Sequence, residues 1–248
     1  MKQVMVVTGS SRGIGAATAL MASRRGYAVC INYIGNEQAA ERLRARIADE
    51  GGEAIVVRGD MSVEADVLRL FAAVDAQLGP ITALVNNVGV LEQQCQLSEM
   101  TAERLQRVFT VNIMSAFLCA REAVKRMSTR GGGHGGGIVN VSSGAARHGG
   151  ANTYIDYASS KGALDVMTLG LSKEVAEEGI RVNCVRPGVT DTEIHASGGM
   201  PDRVARMAPV LPMGRAARSD EIAESILWLL SPQSSYVSGA ILDVAGSR

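Results

Sequence analysis

The sequence has few cysteines and no excess of charge of either sign. Of its 248 residues, 25 are Lys or Arg and 25 are Asp or Glu, so the formal net charge is zero. A nucleic-acid-binding protein shows a basic excess or stripe, so no nucleic-acid partner is expected. The cysteines have no Cys-x-x-Cys spacing, which argues against a zinc site or disulfide framework and favours a reducing compartment; they are Cys30, Cys95, Cys119 and Cys184.

Long apolar runs are also missing. No stretch reaches the 18 apolar residues that suggest a membrane-spanning helix. The chain begins MKQVMVVTGS, which enters a predicted strand at once and lacks a basic–apolar–small signal segment. The zero net charge and the lack of a basic amphipathic helix argue against a role at a membrane surface. We therefore expect a cytoplasmic protein with no membrane partner.

What the sequence does have is a regular alternation of strand and helix patterns. Strands are predicted at 3–8, 28–33, 54–58, 82–86, 138–141, 180–185 and 240–244. Helices are predicted at 16–25, 37–50, 63–78, 101–127, 154–178 and from Ser219 onward. This alternation indicates right-handed βαβ crossovers and a parallel sheet. With no linker or composition shift, residues 1–248 are predicted to form one doubly wound α/β domain.

The glycine-rich stretch GGGHGGG at 131–137 interrupts this pattern. Glycine loses more conformational entropy on folding than any other residue, so six glycines in seven positions do not favour a fixed backbone. We predict a mobile surface connection here, with His134 solvated. No cluster of metal-ligand residue types is present, and no metal is expected.

A second glycine-rich segment follows the first strand and opens the first helix. It reads TGSSRGIG at 8–15, with the spacing G-x-x-x-G-x-G. Glycines there permit positive φ and a close approach of the backbone to a pyrophosphate, which the free N–H groups of a helix N-terminus then bind. The alternative is a tight turn that merely requires glycine, but the strand–turn–helix context favours a dinucleotide site.

The end of the second strand bears on which dinucleotide binds. An acidic residue there would accept a hydrogen bond from the ribose 2′-OH of NAD and would repel the 2′-phosphate of NADP. The strand ends Ile31-Asn32-Tyr33-Ile34 without an acid, and Arg12 in the glycine loop can reach the same corner. Since arginine is well suited to phosphate, we predict NADP and leave NAD open; the other possibility is that Arg12 is only solvated.

A candidate catalytic pair lies on the predicted helix 154–178. Tyr157 and Lys161 stand four residues apart and so share one helix face. An ammonium beside a phenol is expected to lower the phenol pKa, which suits a group that exchanges a proton with a carbonyl or alcohol oxygen. Such pairs are usually surface packing contacts. Ser143, at the end of a predicted strand and so near the ligand crevice, favours the catalytic interpretation.

These segments together resemble the short-chain dehydrogenase/reductase family over essentially the whole chain. The matching features are TGSSRGIG at 8–15, Asp60, NNVG at 86–89, Asn112, IVNVSS at 138–143, YASSK at 157–161, and RVNCVRPG at 181–188 with Thr192. The resemblance implies a Rossmann-type sheet of seven strands in the order 3-2-1-4-5-6-7. It also implies a homotetramer.

The resemblance implies roles for individual residues. Tyr157 is the general acid/base, Lys161 binds the nicotinamide ribose and lowers the Tyr157 pKa, Ser143 orients the substrate oxygen, and Asn112 holds a water of a proton relay. The cofactor set is Gly9, Ser11, Arg12, Gly13, Ile14, Gly15, Asn32, Tyr33, Asp60, Met61, Asn87, Gly89, Tyr157, Lys161, Pro187, Gly188, Val189 and Thr192.

Some positions depart from the family pattern. Val88 replaces the usual alanine, and the spacing from Ser143 to Tyr157 makes Ser142 a weaker competitor for the serine role. Tyr154 is an additional tyrosine near Tyr157, and we expect it to line the substrate pocket or pack.

The substrate is defined only as a small carbonyl compound or alcohol. A lid over the substrate is expected at about 192–211, and the chain is similar to glucose 1-dehydrogenase-type and 3-oxoacyl-carrier-protein reductase-type members. His195, Met200 and Met207 are candidates for pocket lining, while Arg203 and Arg206 either bind an anionic substrate or are solvated.

The alternative function is that of a nucleotide-sensing or regulatory protein of the same fold that catalyses no reaction.

Overall fold

The computed structural model describes residues 2–247 and contains one seven-stranded sheet. Every strand pair is parallel, and the order is β3-β2-β1-β4-β5-β6-β7. The strands are β1 (Gln3–Val7), β2 (Tyr27–Tyr33), β3 (Ala54–Arg58), β4 (Ala83–Asn86), β5 (Gly136–Val141), β6 (Ile180–Pro187) and β7 (Ile241–Val244). The predicted single α/β domain and its strand order are confirmed.

Helices cover both faces of this sheet. They are α1 (Gly13–Arg24), α2 (Glu37–Asp49), α3 (Glu64–Gln77), α4 (Ala102–Phe109), α5 (Ser115–Met127), α6 (Ala145–His148), α7 (Ile155–Glu174), α8 (Ile194–Ser197), α9 (Arg203–Met207) and α10 (Ser219–Leu230). Among residues 2–247, none of the helices has the length and apolar character needed to cross a membrane.

The alternation of side chains along each strand divides the core into two layers. On β1, Val4 and Val6 belong to one buried cluster, whereas Met5 and Val7 belong to the other. This follows from the period of two in a strand, where successive side chains point to opposite faces. All four are fully buried, as a parallel sheet covered by helices on both faces requires.

The strand order creates a crevice at one edge of the sheet. β1 pairs with β2 on one side and with β4 on the other, so the chain reverses its direction of winding between β1 and β4. At such a switch point, the loops after the two strands separate and leave a ligand-binding crevice at their carboxyl ends. Both NNVG and the glycine loop lie at this edge.

The two long predicted helices are each interrupted. Residues 101–127 form α4, a π-helical turn (Thr110–Met114) and α5, and residues 154–178 form α7 followed by a 3-10 turn (Ala176–Glu178). A π turn accommodates an extra residue within a helix and often occurs at functional sites. Here it contains Asn112, whose side chain is completely buried.

The prediction that 131–137 is a mobile connection is wrong for the second half of the segment. β5 begins at Gly136, and the buried Gly135 donates its N–H to the carbonyl oxygen of Met127 at 2.7 Å. A Cβ at Gly135 would lie 2.5 Å from the carbonyl oxygen of Gly179. Glycine is needed here because neighbouring backbone approaches closely, while Gly131, Gly132 and His134 are exposed as expected.

Candidate active site

A cavity of about 1070 Å³ opens at the carboxyl edge of the sheet. Its walls come from the glycine loop, the end of β2, the loops after β3, β4, β5 and β6, and the first turns of α7. Of the eighteen predicted cofactor residues, all but Gly15 line the cavity, and of the four predicted catalytic residues, all but Asn112 do. Motifs that are far apart in the sequence therefore meet in one site.

The glycine loop forms one end of the cavity and leads into α1. Gly9 and Gly13 adopt positive φ values of 61° and 54°, which side chains rarely permit. The N–H of Gly9 donates to Oδ1 of Asn32 at 3.0 Å, which fixes the loop against β2. The first N–H groups of α1, which begins at Gly13, have no partner within the helix. This cradle of backbone donors fits a pyrophosphate.

Gly15 closes the cradle from behind rather than lining the cavity. A Cβ at this position would lie 2.6 Å from Nδ2 of Asn87 and 2.8 Å from the carbonyl oxygen of Gly9. Nδ2 of Asn87 itself donates to the carbonyl oxygens of Thr8 and Gly9, at 3.0 and 3.1 Å. Asn87 therefore fastens the loop after β4 to the glycine loop, and Gly15 leaves the space for it.

We expect Gly15→Ala to lower the free energy of unfolding by about 1–3 kcal/mol, because backbone must move to admit the methyl group. The measurement is a denaturant titration, with dinucleotide affinity as a second readout. The control is Gly131→Ala, where the nearest atom to the added Cβ is 3.5 Å away. Equal stability of the two variants would contradict this explanation of Gly15.

The corner at the end of β2 contains Asn32, Tyr33, Asp60 and Met61. Nδ2 of Asn32 donates to the carbonyl oxygens of Val57 and Gly59, at 3.3 and 3.0 Å, so its amide is occupied by the protein itself. Asp60 accepts from N–H and O–H of Ser62, at 2.9 and 2.7 Å, and shapes the turn after β3. These two residues build the wall of the corner.

Arg12 differs from the other polar residues at this end of the cavity. Its side chain is exposed and makes no ion pair with any described residue. The corner beside it contains Asn32, Tyr33 and Ile34 and has no carboxylate on β2. The charge of Arg12 is thus available to an anionic group.

The other end of the cavity holds the predicted catalytic residues. Tyr157 and Ser143 are hydrogen-bonded to each other, and Oγ of Ser143 also accepts from the N–H of Ala145 at 3.1 Å. Oγ of the neighbouring Ser142 donates to the carbonyl oxygen of Lys161 at 2.9 Å and is buried. Ser143, and not Ser142, therefore faces Tyr157.

Lys161 lies beneath Tyr157 and is almost completely buried. Its Nζ donates to the carbonyl oxygen of Val141 at 2.8 Å and lies 5.7 Å from the centre of the Tyr157 ring. A Cβ at Gly89 would approach this Nζ to 3.1 Å, so glycine leaves space beside the ammonium. Burial lowers the pKa of Lys161 to about 8, although Cys184 and Asp165 act in the opposite direction.

The prediction that Lys161 lowers the pKa of Tyr157 is wrong for the protein alone. Burial raises the pKa of Tyr157 to about 12, and the largest opposing effect is the hydrogen bond from Ser143. Desolvation disfavours the phenolate among protein atoms. The phenol consequently carries its proton at neutral pH.

Asn112 is buried beside these residues and does not line the cavity. Nδ2 donates to the carbonyl oxygen of Val90 and to Oγ of Ser160, each at 3.0 Å, while Oδ1 accepts from the N–H of Val90 at 2.7 Å. Both N–H donors of its amide are used. The π turn and this amide hold α7 against the loop after β4, so a role for Asn112 in a water relay stays a prediction.

The wall opposite Tyr157 follows β6. Pro187, Gly188, Val189 and Thr192 all line the cavity; their predicted position on the nicotinamide side stays a prediction. Gly188 donates its N–H to the carbonyl oxygen of Val244 at 3.0 Å, and a Cβ at Gly188 would lie 2.8 Å from Cα of Ala245. This glycine lets the end of β6 lie flat against the chain after β7.

The region 192–211 contains α8, α9 and a 3-10 turn (Ala208–Val210). His195 lines the cavity, with Nε2 at 2.8 Å from the carbonyl oxygen of Thr190, and burial lowers its pKa. Arg203 also lines the cavity, whereas Met200 and Met207 are not among its described lining residues.

Several residues that line the cavity were not indicated by any motif, and three of them are basic. The three are Arg107, Arg147 and His148. Arg147 and His148 follow Ser143 on the short helix α6, and this position was the available signal. Arg104 on α4 is paired with the buried carboxylate of Asp156 at 2.7 Å, a contact that no motif indicated.

The sequence matches known proteins along nearly its whole length. The family described as Enoyl-(Acyl carrier protein) reductase matches residues 9–246. The chain is 51% identical to the uncharacterized oxidoreductase YgfF of Escherichia coli strain K12, which covers 99% of both chains. It is 38% identical to the cis-4-hydroxycyclohexanecarboxylate dehydrogenase of Sinomonas cyclohexanicum, covering 99% of this chain and 96% of that protein.

A solved structure agrees with the fold. The crystal structure of a blue fluorescent protein from a metagenomic library, in complex with NADPH, matches with a TM-score of 0.89 and 30% identity. The match covers 99% of this chain and 97% of that one. From the similarity in sequence, the parallel sheet and the placement of the motifs around one cavity, we conclude that the chain belongs to the short-chain dehydrogenase/reductase family of oxidoreductases.

Proposed function

We propose that this protein is an NADP(H)-dependent oxidoreductase that interconverts a carbonyl compound and an alcohol, with Tyr157 as the general acid/base. The observation that carries the proposal is the hydrogen-bonded pair of Ser143 and Tyr157 above the buried Lys161, in the same cavity as the glycine loop. A nicotinamide dinucleotide, when bound, supplies or accepts the hydride. The relative from Sinomonas cyclohexanicum is named for a secondary alcohol, which supports this substrate class.

Tyr157 holds the proton that the reaction moves. Because burial raises its pKa to about 12, the phenol is protonated at neutral pH and can donate from Oη to a carbonyl oxygen. Ser143 orients that oxygen, since its hydroxyl lies against the phenol. Lys161 is held below the ring by the carbonyl oxygen of Val141, so its charge is placed to stabilise the phenolate that remains.

The glycine loop and the corner at β2 are proposed to hold the dinucleotide. Gly9 and Gly13 form the cradle for the pyrophosphate, and Thr192 lies beside Gly13, where a Cβ would meet it at 3.2 Å. Arg12 is proposed to bind the 2′-phosphate of NADP. This preference is supported by the lack of a carboxylate at the end of β2, and a structural neighbour at 30% identity is in complex with NADPH.

We expect Arg12→Gln to raise the dissociation constant of NADPH by about 10–100-fold, the equivalent of losing one or two charge-assisted hydrogen bonds. The affinity for NADH should stay within about threefold, because NADH has no 2′-phosphate. Binding is measured by calorimetry with both dinucleotides, and Arg42→Gln, an exposed arginine of α2, is the control. An equal loss for both dinucleotides would place Arg12 at the pyrophosphate and contradict the assignment.

The experiment that tests the function is a panel of ketones, aldehydes, alcohols and sugars, followed at the nicotinamide absorbance. It is run with NADPH and NADH side by side. Turnover of at least one carbonyl–alcohol pair supports the proposal. A protein that binds NADPH and turns over none of the panel would instead support the nucleotide-sensing alternative.

The homotetramer and the cytoplasmic location stay predictions. Exposed apolar side chains on the π turn, α5 and α7 support pairing of these helices between copies of the chain; they are Met114, Phe117, Val166 and Leu169. Isologous pairing of one face with itself is the usual route to a symmetric oligomer. Mass measurement in solution tests it.

A further inference from the structure

One arginine at the substrate end of the cavity is held in place without a carboxylate partner. Arg203 projects from α9, and its Nη2 donates to the phenolic oxygen of Tyr154 at 2.7 Å. The guanidinium carbon lies 5.4 Å from the centre of the Tyr154 ring. Its other described contact is a long one, from Nη1 to the sulfur of Met200 at 3.8 Å. The position of the cation is thus defined by an aromatic ring and not by an ion pair.

Of the three other arginines that line the cavity, Arg12 at the glycine loop also has no ion pair, whereas the other two each have a carboxylate partner. Arg147 pairs with Asp243 at 3.0 Å, and Arg107 pairs with Glu92 at 3.2 Å. Among residues 2–247, no carboxylate lies within ion-pair distance of Arg203. A partly buried charge without a counter-charge is unfavourable. The cavity therefore has an unmatched positive charge at this end.

The acidic residues of the cavity lie at its other end. Among the described lining residues, the carboxylates are Asp60 and Glu193. Asp60 follows β3 at the corner for the adenosine, and Oε2 of Glu193 lies 3.8 Å from where a Cβ of Gly13 would be. Both carboxylates thus belong to the dinucleotide end. Neither neutralises Arg203.

Arg203 is separated from Tyr157 by the width of one ring. The rings of Tyr154 and Tyr157 meet edge to face with their centres 5.9 Å apart. The charge of Arg203 also acts to lower the pKa of Tyr157, although burial outweighs it. A molecule whose reacting oxygen contacts Tyr157 can therefore extend over Tyr154 to the guanidinium.

We propose that Arg203, together with the hydroxyl of Tyr154, binds a carboxylate of the substrate, so that the preferred substrates are oxo acids and hydroxy acids. This inference rests on the proposed oxidoreductase function. A guanidinium presents a planar fork of donors that matches a carboxylate, and Nε, one N–H of Nη1 and one N–H of Nη2 have no partner among the described residues. Tyr154 accepts from Arg203, so its own O–H is free to serve as a further donor.

The test compares matched pairs of carbonyl compounds. Each pair consists of an oxo acid, such as 4-oxocyclohexanecarboxylate, and its neutral carboxamide of nearly the same shape. For the wild-type protein, kcat/KM should be about 10–100-fold higher for the acid. Arg203→Gln should remove that preference through a higher KM for the acid, with kcat changing little. Arg203→Lys should recover only part of it, because lysine keeps the charge and loses the fork.

Arg206→Gln is the matched control. Arg206 lies on the same helix, is 64% exposed and faces Asp202 at 4.0 Å, outside the cavity lining. This variant should keep the wild-type preference for acids. Binding is measured independently by ligand-observed NMR with cyclohexanecarboxylate and NADPH, where the signal should be lost in Arg203→Gln and kept in Arg206→Gln. Circular dichroism verifies that each variant is folded.

The outcomes separate this inference from the proposed function. Turnover of the amides as efficiently as the acids, with no effect of Arg203→Gln, would overturn the carboxylate site and leave the oxidoreductase function intact. Turnover of no compound of either kind would contradict the oxidoreductase function. In that case the NMR comparison still decides on Arg203, because equal binding of the carboxylate by wild type and Arg203→Gln overturns the site.

Discussion

Replacing Tyr157 with phenylalanine is expected to lower kcat for carbonyl reduction by about 10²–10⁴-fold, the range that one general acid contributes. The phenylalanine ring can keep the edge-to-face contact with Tyr154 at 5.9 Å, so the shape of the cavity is retained. What disappears is the O–H that is hydrogen-bonded to Ser143. Steady-state kinetics with NADPH and the best carbonyl substrate measures the effect.

The affinity for the dinucleotide distinguishes a lost proton donor from a damaged site. We expect the dissociation constant of NADPH to change by less than about threefold in Tyr157→Phe, because Lys161 and the glycine loop are untouched. Tyr236→Phe, at a fully exposed tyrosine, is the control for loss of a phenol. If Tyr154→Phe abolished turnover of a neutral ketone while Tyr157→Phe did not, the proton would come from Tyr154 and the assignment would be wrong.

The features that the sequence predicts correctly are those whose motif and backbone requirement are local. Gly9 and Gly13 stand at positive φ in a turn between β1 and α1, and strand, turn and helix are all visible within 25 residues. The pair Tyr157 and Lys161 follows from helical spacing alone. The order of the strands in the sheet could not be predicted in this way. It was predicted from the resemblance to a family and not from the strand patterns themselves.

The pKa values of Tyr157 and Lys161 depend mainly on how deeply the two side chains are buried. The spacing of the two residues in the sequence gives no information about their burial. A lysine four residues from a tyrosine predicts a lowered phenol pKa if both groups are solvated. In the folded protein, desolvation acts on both residues, raising the pKa of Tyr157 to about 12 and lowering that of Lys161 to about 8. The sign of the first effect was therefore missed.

Contacts between segments far apart in the sequence could not be predicted either. Arg203 meets Tyr154 across 49 positions of sequence, and Arg104 meets Asp156 across 52. A helical pattern separates polar from apolar faces, but it does not show which charged residue finds a buried partner. The same applies to Gly135, whose lack of a side chain is required by the backbone at Gly179.

The pair of Arg104 and Asp156 gives the second large expected effect. Asp156 stands in the first turn of α7, directly before Tyr157, and its carboxylate is 1% exposed. It accepts from Nε and Nη2 of Arg104 at 2.7 and 3.2 Å, while Nη1 of Arg104 donates to the carbonyl oxygen of Gln93. This bidentate pair joins α4, the loop after β4 and the helix that carries Tyr157.

Asp156→Ala is expected to lower the free energy of unfolding by about 3–5 kcal/mol, because it leaves the guanidinium of Arg104 partly buried without its counter-charge. For a chain of this size, that corresponds to a fall in Tm of roughly 6–20 °C. The control is Glu41→Gln, which removes one partner of the exposed pair of Arg44 and Glu41 on α2 and should leave Tm nearly unchanged.

A double variant shows whether the loss of stability in Asp156→Ala comes from the uncompensated charge of Arg104. Replacing both partners, in Arg104→Met with Asp156→Leu, removes the two charges together and should recover much of the stability lost in Asp156→Ala, since apolar residues of similar volume often replace a buried ion pair at little cost. The catalytic rate should recover less than the stability, because the bidentate contact fixes the first turn of α7 and thereby the position of Tyr157. A double variant as unstable as the single one would mean that packing at this position, and not the charge of Arg104, determines the stability of the turn.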